Sequence, residues 1–397
     1  MTQSLSPADM AWTKGFLDPA HVRRHVTTVR EMSPTRAVWR GTGAPAPLPD
    51  APANLSDLPV PWTFDRTVPL AQALREAETD ALVVVHRGRV VHELYLHGYR
   101  AHVPHLTASL AKSWIGLLAA LLDEQGLLRR ADEAAKYIPE LAGTGLGSAR
   151  LQQLLHMTTQ VRFGGRPYDR VLEAHRFWAV VAPGLRPAGY TGAHTILEHL
   201  ATAEATGPFG TEFRYENANV EVVAEVLRRV TGVSTTELLS DLVWSRIGAA
   251  EDGYYVLDPA GNEMACGGFA ATAKDVARLG EVLRRGGALG DRQVFPESVV
   301  RSITEVPAGP TRRVRLPRDT SDAPPRLGYH DFWWILDDPY GSYLASGIHG
   351  QHLFVSPGRE LVVVHFGAQV LSPSVPPTPL VAAYTRIAAA LDTDTRA

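Results

Sequence analysis

The chain has 397 residues and a net charge of −3; 45% of its residues are hydrophobic and 20% are charged. This composition is typical of a globular protein long enough for two domains, or for one large domain with an insertion. The near-neutral charge gives no indication of nucleic acid or an anionic membrane as a partner. The single cysteine, Cys266, excludes an internal disulfide, and the N-terminal sequence has no signal-peptide pattern, so we expect a cytoplasmic protein.

The predicted elements place strands towards both ends of the chain and helices in its middle. Residues 1–80 look irregular apart from a helix near 70–78, and residues 81–95 predict a β-hairpin. Residues 131–260 are mostly helical. Later elements are helices at 275–286, 296–303 and 380–391, and strands at 333–336, 343–348, 352–356 and 360–366.

Strands from distant parts of the chain can share a sheet only if the residues between them are inserted beside it. We therefore predict one antiparallel sheet flanked by helices, an α/β (α+β) arrangement with an inserted all-helical domain. The predicted α/β domain is discontinuous, with residues 1–105 and 269–397, and the helical domain has residues 106–268. We expect a functional site in the cleft between them.

Ser109 and Lys112 lie at the start of an apolar helix that runs to Gln125 and ends before Gly126. Residues three apart share one helix face, so the amine is expected over the hydroxyl, which needs a base to become a nucleophile. The chain has 39 basic residues, but only four are lysine: Lys14, Lys112, Lys136 and Lys274. A lysine in an apolar helix indicates an amine that can release its proton, whereas the alternative is a surface lysine whose stem packs on the helix.

Two further segments could contribute to catalysis if they lie beside the Ser109–Lys112 pair. Tyr215-Glu216-Asn217 precedes a predicted helix, and alone it is typical of a helix N-cap with a packed ring. Beside Ser109 it offers a phenol for proton transfer and an amide for substrate binding. The segment Ala345–Gln351 contains Gly347, and a glycine lets a strand bring its backbone N–H groups close to a developing oxyanion.

In this order and spacing, the segments resemble the serine β-lactamase-like superfamily, most closely its 6-aminohexanoate-dimer hydrolase and family VIII carboxylesterase branches. The resemblance covers most of the chain and implies the β-lactamase (penicillin-recognising) fold. The segments that carry it are Ser109–Lys112, Leu154–Thr159, Tyr215–Asn219, Gly267–Gly268 with Asp275–Gly280, and Gly347–Gln351.

The resemblance also implies roles for single residues. Ser109 is expected to be the nucleophile that accepts the acyl group, Lys112 its proton acceptor, and Tyr215 the acid/base that serves the leaving group. The N–H groups of Ser109 and Ile348 are expected to form the oxyanion hole. The residues expected to contact the substrate are Asn217, Tyr168, Gly347, His349 and Cys266.

One departure from the pattern concerns the substrate. Penicillin-recognising relatives carry Lys-Thr-Gly where this chain has Ala345-Ser346-Gly347, so the cation that holds a substrate carboxylate is missing. We therefore predict a serine hydrolase that cleaves a small ester or linear amide through an acyl-enzyme. The alternatives are an acyltransferase, a β-lactamase or D-peptidase, and a catalytically inactive binding protein. A homodimer also stays open.

No cofactor is expected. His97, His102 and His105 have a spacing that suits a metal, but no fourth ligand is in view, and we interpret them as ordinary loop histidines. Cys266 has no identifiable base, so we expect a small packed residue rather than a nucleophile.

Overall fold

The structure is a computed structural model that describes residues 19–63, 66–164, 177–186, 189–306, 309–312, 327–370 and 379–394. Its α-helices are α1 Pro19–Met32, α2 Leu70–Glu76, α3 Ala111–Glu124, α4 Leu151–Leu155, α5 Ile196–Leu200, α6 Asn217–Thr231, α7 Thr235–Leu239, α8 Ala273–Arg284, α9 Glu297–Thr304 and α10 Pro379–Asp394. Its strands are β1 Thr35–Val38, β2 Pro59–Thr63, β3 Arg66–Pro69, β4 Thr79–His86, β5 Arg89–Tyr95, β6 His105–Leu106, β7 Val161–Phe163, β8 Ala203–Ala205, β9 Gly253–Val256, β10 Phe269–Ala271, β11 Ala288–Leu289, β12 Arg292–Gln293, β13 Leu327–His330, β14 Trp333–Leu336, β15 Tyr343–Gly347, β16 Gln351–Ser356 and β17 Leu361–Gly367.

The main sheet joins distant parts of the chain. It has seven strands in the order β13-β14-β15-β16-β17-β4-β5, and each neighbouring pair is antiparallel. Every residue of β4 and β17 is buried, as expected for strands covered on both faces. The predicted hairpin at 81–95 is confirmed as β4 and β5, and both turn residues, Arg87 and Gly88, have positive φ. The predicted fold class is thus confirmed.

Helices cover both faces of this sheet. On one face, α8 packs so closely that a β-carbon at Gly280 would lie 2.6 Å from Val362 Cγ1 and 2.7 Å from Leu353 Cδ1. Adjacent strand residues point to opposite faces. The Phe354 ring accordingly lies 5.6 Å from the Tyr384 ring of α10 on the other face.

Two sequence predictions need correction. The N-terminal region is not irregular, because α1 buries Val22, Val26 and Val29, an i, i+4, i+7 pattern that repeats on one helix face. The middle of the chain is also not entirely helical. It contains the β7–β8 pair, and β9 joins β1 and β10 in a four-stranded sheet of order β1-β9-β10-β6. Among the described residues, no helix has the length and apolar character needed to cross a membrane.

Candidate active site

Ser109 lies where the four-stranded sheet meets α3. Both the N–H and the hydroxyl of Thr107 donate to the Phe269 carbonyl of β10, each at 2.8 Å. Ala108 then takes a positive φ of 48°, and a single 3₁₀ turn leads through Ser109 into the helix. A positive φ in a residue other than glycine is strained, and such strain concentrates at functional sites. The turn leaves Ser109 half-buried at the N-terminus of a buried helix.

Lys112 is the second residue of α3, one turn after Ser109, and only 1% of its surface is exposed. Its Nζ atom is 2.8 Å from Ser109 Oγ and 2.5 Å from the carbonyl oxygen of Cys266. Burial to this degree contradicts the alternative of a surface lysine that snorkels to solvent. The amine is therefore within hydrogen-bond reach of the serine hydroxyl, which is the geometry that a general base requires.

A buried carboxylate, which the sequence analysis missed, lies behind Lys112. Glu221 of α6 accepts hydrogen bonds from the backbone N–H groups of Cys266, at 2.7 Å, and Ala265, at 3.1 Å. Burial raises the pKa of Glu221 to about 7, although these two amides and the nearby Lys112 favour its charged form. The signal in the sequence is the acid itself, since Glu221 interrupts the apolar run Val220–Ala224.

Tyr215 is held by its two neighbours in the chain. The Arg214 N–H donates to the Met157 carbonyl at 2.7 Å, and the Glu216 N–H approaches the Met157 sulfur at 3.2 Å. The Tyr215 ring stacks on Trp334 with centroids 5.9 Å apart and planes 13° apart. Lys112 Nζ lies 5.3 Å from the centre of the same ring. The structure thus brings Tyr215 beside the Ser109–Lys112 pair, although about a hundred residues separate it from them in the sequence.

The Tyr215 segment does contain a helix N-cap, and the capping residue is Glu216. The helix α6 begins at Asn217, and its N-cap is Glu216, whose carboxylate accepts from the Ala218 N–H at 3.1 Å. Asn217 is half-buried in the first turn. The cap orients the start of α6. Tyr215 and Asn217 thus lie on either side of Glu216, whose carboxylate is bonded to the Ala218 N–H.

Strand β15 passes directly beside the serine. A β-carbon at Gly347 would lie 2.5 Å from the Thr107 carbonyl oxygen and 3.0 Å from the Ser109 nitrogen, so only glycine fits there. Ile348 follows at once and is 39% exposed, a large apolar residue at the surface. Side chains alternate along a strand, so Ala345 lies on the same face as Gly347. The strand face nearest Ser109 therefore carries a methyl group at Ala345 rather than a cation.

Two residues expected to touch substrate have other surroundings. The His349 ring is 3% exposed, and its Nδ1 lies 2.6 Å from the Gln369 carbonyl oxygen. The Cys266 thiol is 2% exposed, and burial raises the pKa of Cys266 well above its usual range. Burial of the thiol agrees with the small packed residue expected at Cys266, whose carbonyl contacts Lys112, and substrate contact by His349 and Cys266 stays a prediction. Tyr168 lies outside the described residues.

One cluster has the composition of a metal site. The ligand atoms of His156, His330 and Asp331 lie within 4.8 Å of one another. Arg130, however, donates two hydrogen bonds to the Asp331 carboxylate, at 2.7 and 2.8 Å, and so already neutralises it. We interpret this cluster as support for the turn at Asp331. The expectation for His105 was wrong in one respect, because this residue is buried in β6, with Nε2 3.3 Å from Asp80.

Fold and site together define a serine hydrolase. The chain belongs to the family described as Beta-lactamase, whose model matches residues 64–373. It is 30% identical over 344 residues to the 6-aminohexanoate-dimer hydrolase of Paenarthrobacter ureafaciens, covering 87% of this chain and 84% of that protein.

Solved structures agree with this assignment. A protein from Bacillus anthracis, provisionally described as a 6-aminohexanoate-dimer hydrolase, superposes with a TM-score of 0.83 and 32% identity, covering 95% of this chain and 96% of the other. A family VIII carboxylesterase shares the fold at a TM-score of 0.57 and 16% identity, covering 80% of this chain and 94% of the other. The predicted resemblance to this superfamily is confirmed.

Proposed function

We propose that this protein hydrolyses small linear amides and esters through an acyl-enzyme on Ser109. The observation that carries the proposal is the distance of 2.8 Å between the Lys112 amine and the Ser109 hydroxyl at the N-terminus of the buried helix α3. A neutral amine at this distance can take the hydroxyl proton while the oxygen attacks a carbonyl carbon.

Acylation then proceeds with the following proton movements. The Ser109 oxygen bonds to the carbonyl carbon, and its proton passes to Lys112 Nζ. The carbonyl oxygen becomes an oxyanion, which the backbone N–H groups of Ser109 and Ile348 stabilise. When the bond to the leaving group breaks, the Tyr215 hydroxyl donates a proton to the departing nitrogen or oxygen and regains one from Lys112.

Deacylation reverses these roles with water as the nucleophile. Water loses a proton to the Lys112–Tyr215 pair as its oxygen attacks the acyl carbon. The bond to Ser109 breaks, and the serine oxygen recovers a proton from Lys112. The net result is an acid and an amine, or an acid and an alcohol, with the enzyme unchanged.

The surroundings of Ser109 and the relatives support the proposed substrate class. The 30% identical relative is named for an amide, the 6-aminohexanoate dimer, and we propose linear amides of this kind. The methyl group of Ala345 offers no charge for the carboxylate of a β-lactam or of a peptide C-terminus. Trp334 and Tyr329 are buried behind Tyr215, with rings 5.9 and 6.1 Å from its ring, and hold the phenol in place beside Lys112.

We also propose the domain limits predicted from the sequence, residues 1–105 with 269–397 and residues 106–268. Gly347 of the first domain approaches Ser109, and Tyr215 of the second lies beside Lys112, which supports a site in the cleft. We further propose a cytoplasmic protein with a small-molecule substrate and without nucleic-acid or membrane partners. The single cysteine, free and buried, supports this location.

A fluorophosphonate probe tests the nucleophile. The wild type should gain one label at Ser109, and Ser109→Ala should lose both the label and hydrolysis of the 6-aminohexanoate dimer. Ser113→Ala is the matched control, because Ser113 is on the same helix but donates its hydroxyl to the Phe332 carbonyl at 2.7 Å. Labelling that survives Ser109→Ala would overturn the proposal.

A further inference from the structure

The carbonyl that holds the Lys112 amine is that of Cys266, in a buried segment where the Gly268 N–H donates to the Met264 carbonyl at 2.8 Å and the Gly268 carbonyl accepts from the Val256 N–H at 2.9 Å. Cys266 is followed directly by Gly267 and Gly268, and glycine restricts the backbone less than any other residue. The Lys112 amine nevertheless needs a fixed position, because a displacement of about 1 Å at a catalytic group can cost on the order of 10²-fold in rate. The Cys266 peptide itself must therefore be held in place, in addition to the backbone hydrogen bonds of Met264 and Gly268.

Glu221 is placed to provide this anchor. Its two carboxylate oxygens accept the N–H groups of Cys266 and Ala265 separately, at 2.7 and 3.1 Å. Cys266 is thus bonded on its N–H side to a carboxylate and on its carbonyl side to the Lys112 amine. Charged hydrogen bonds of this kind are stronger than neutral ones.

The burial of Glu221 indicates a functional role, because a buried carboxylate is costly. It is 3% exposed on α6, and its neighbours Val220 and Val222 are fully buried. An apolar side chain at this position would avoid the cost of burying a charge.

We infer that Glu221 is a positioning residue for catalysis, which fixes the Cys266 carbonyl and through it the Lys112 amine against Ser109. The inference rests on the proposed function, because it assigns Lys112 as the base. Glu221 itself does not touch the substrate and transfers no proton in the reaction.

The test compares two identical substitutions one helical turn apart. Glu221→Gln preserves the shape of the side chain but presents an NH₂ group to one of the two amides. Glu225→Gln is the control, since Glu225 lies on the same helix and bonds to Arg228 and Arg229 at the surface. The readouts are the rate of Ser109 labelling by a fluorophosphonate, kcat and KM for p-nitrophenyl butyrate, and Tm.

Glu221→Gln should label Ser109 roughly 10- to 100-fold more slowly and lose kcat by a similar factor at unchanged KM. Glu225→Gln should match the wild type. A purely structural role would lower Tm without slowing the labelling of folded enzyme, so Glu221→Gln that labels as fast as Glu225→Gln overturns the inference.

If Glu221→Gln does not fold, Glu221→Asp takes its place. It keeps the charge but shortens the reach, and its labelling should be slower than that of Glu225→Gln; equal rates would again overturn the inference. Failure of the proposed function looks different, because the wild type would then carry no label at Ser109 at all.

Discussion

The backbone of Gly347 passes so close to Ser109 that a β-carbon on the glycine would lie 3.0 Å from the serine nitrogen. Gly347→Ala should therefore push β15 away from the N-terminus of α3 and separate the two proposed oxyanion donors. Losing one such donor costs about 10²- to 10³-fold in kcat. We expect a loss of this order in p-nitrophenyl ester hydrolysis, with Ser109 still present for slow labelling.

Gly43→Ala is the control for this glycine, because nothing lies within 4 Å of a β-carbon there. It should leave activity unchanged. If Gly347→Ala were as active as Gly43→Ala, the strand would not supply the oxyanion donor.

Lys112 and Tyr215 should behave as one proton relay. General acid–base groups each contribute about 10²- to 10⁴-fold, so Lys112→Ala and Tyr215→Phe should each lower kcat/KM by roughly 10³-fold. Groups that act as a unit are not additive, and the double variant should lose little more than either single variant. Steady-state kinetics on one substrate decides this, and losses that multiply in the double variant would mean two independent roles.

The leaving group should separate the role of Tyr215 from that of Lys112. An activated ester leaves without a proton, whereas an amide nitrogen needs a donor as its bond breaks. Tyr215→Phe should therefore harm cleavage of the 6-aminohexanoate dimer more than cleavage of p-nitrophenyl butyrate. Equal losses on both substrates would remove Tyr215 as the proton donor.

Ala345 should make β-lactams poor substrates, because the face of β15 beside Ser109 carries no cation. Turnover of nitrocefin by the wild type should fall below that of p-nitrophenyl butyrate under the same conditions. Efficient nitrocefin turnover would restore the alternative of a β-lactamase.

Buried histidines in the main sheet should make the fold sensitive to acid. Burial lowers the pKa of His352 to about 3 and that of His365 to about 4, against 6.5 for an exposed histidine. Below pH 6.5 these histidines bind protons in the unfolded chain but not in the folded one. The free energy of unfolding is therefore highest above pH 6.5 and falls as the pH drops towards 4 and below. Each histidine should remove about 1.6 kcal/mol from the free energy of unfolding between pH 6.5 and pH 5.

Urea unfolding at the two pH values measures this loss. His352→Gln should show a smaller fall than the wild type, and His102→Gln, an exposed control, should show the same fall as the wild type. An unchanged pH dependence in His352→Gln would show that this ring is not the source.

The sequence by itself determined the elements whose signals are local. The hairpin at 81–95 follows from the apolar run and the Arg87-Gly88 turn, and α3 follows from its apolar residues and the stop at Gly126, which has φ of 72°. The spacing of Ser109 and Lys112 places them on one helix face, and the rarity of lysine singled out Lys112. These inferences hold because residues a few positions apart have fixed relative geometry in regular structure.

Tertiary structure decided what depends on contacts between distant segments. The packing of α3, α6 and β14 sets three such contacts. The Cys266 carbonyl meets Lys112, Glu221 bonds to the Cys266 N–H, and Trp334 stacks on Tyr215. The same packing buries the His349 ring, and it buries the Cys266 thiol as expected for a small packed residue. Burial depends on which surfaces the whole chain brings together, and neither residue type nor spacing records it.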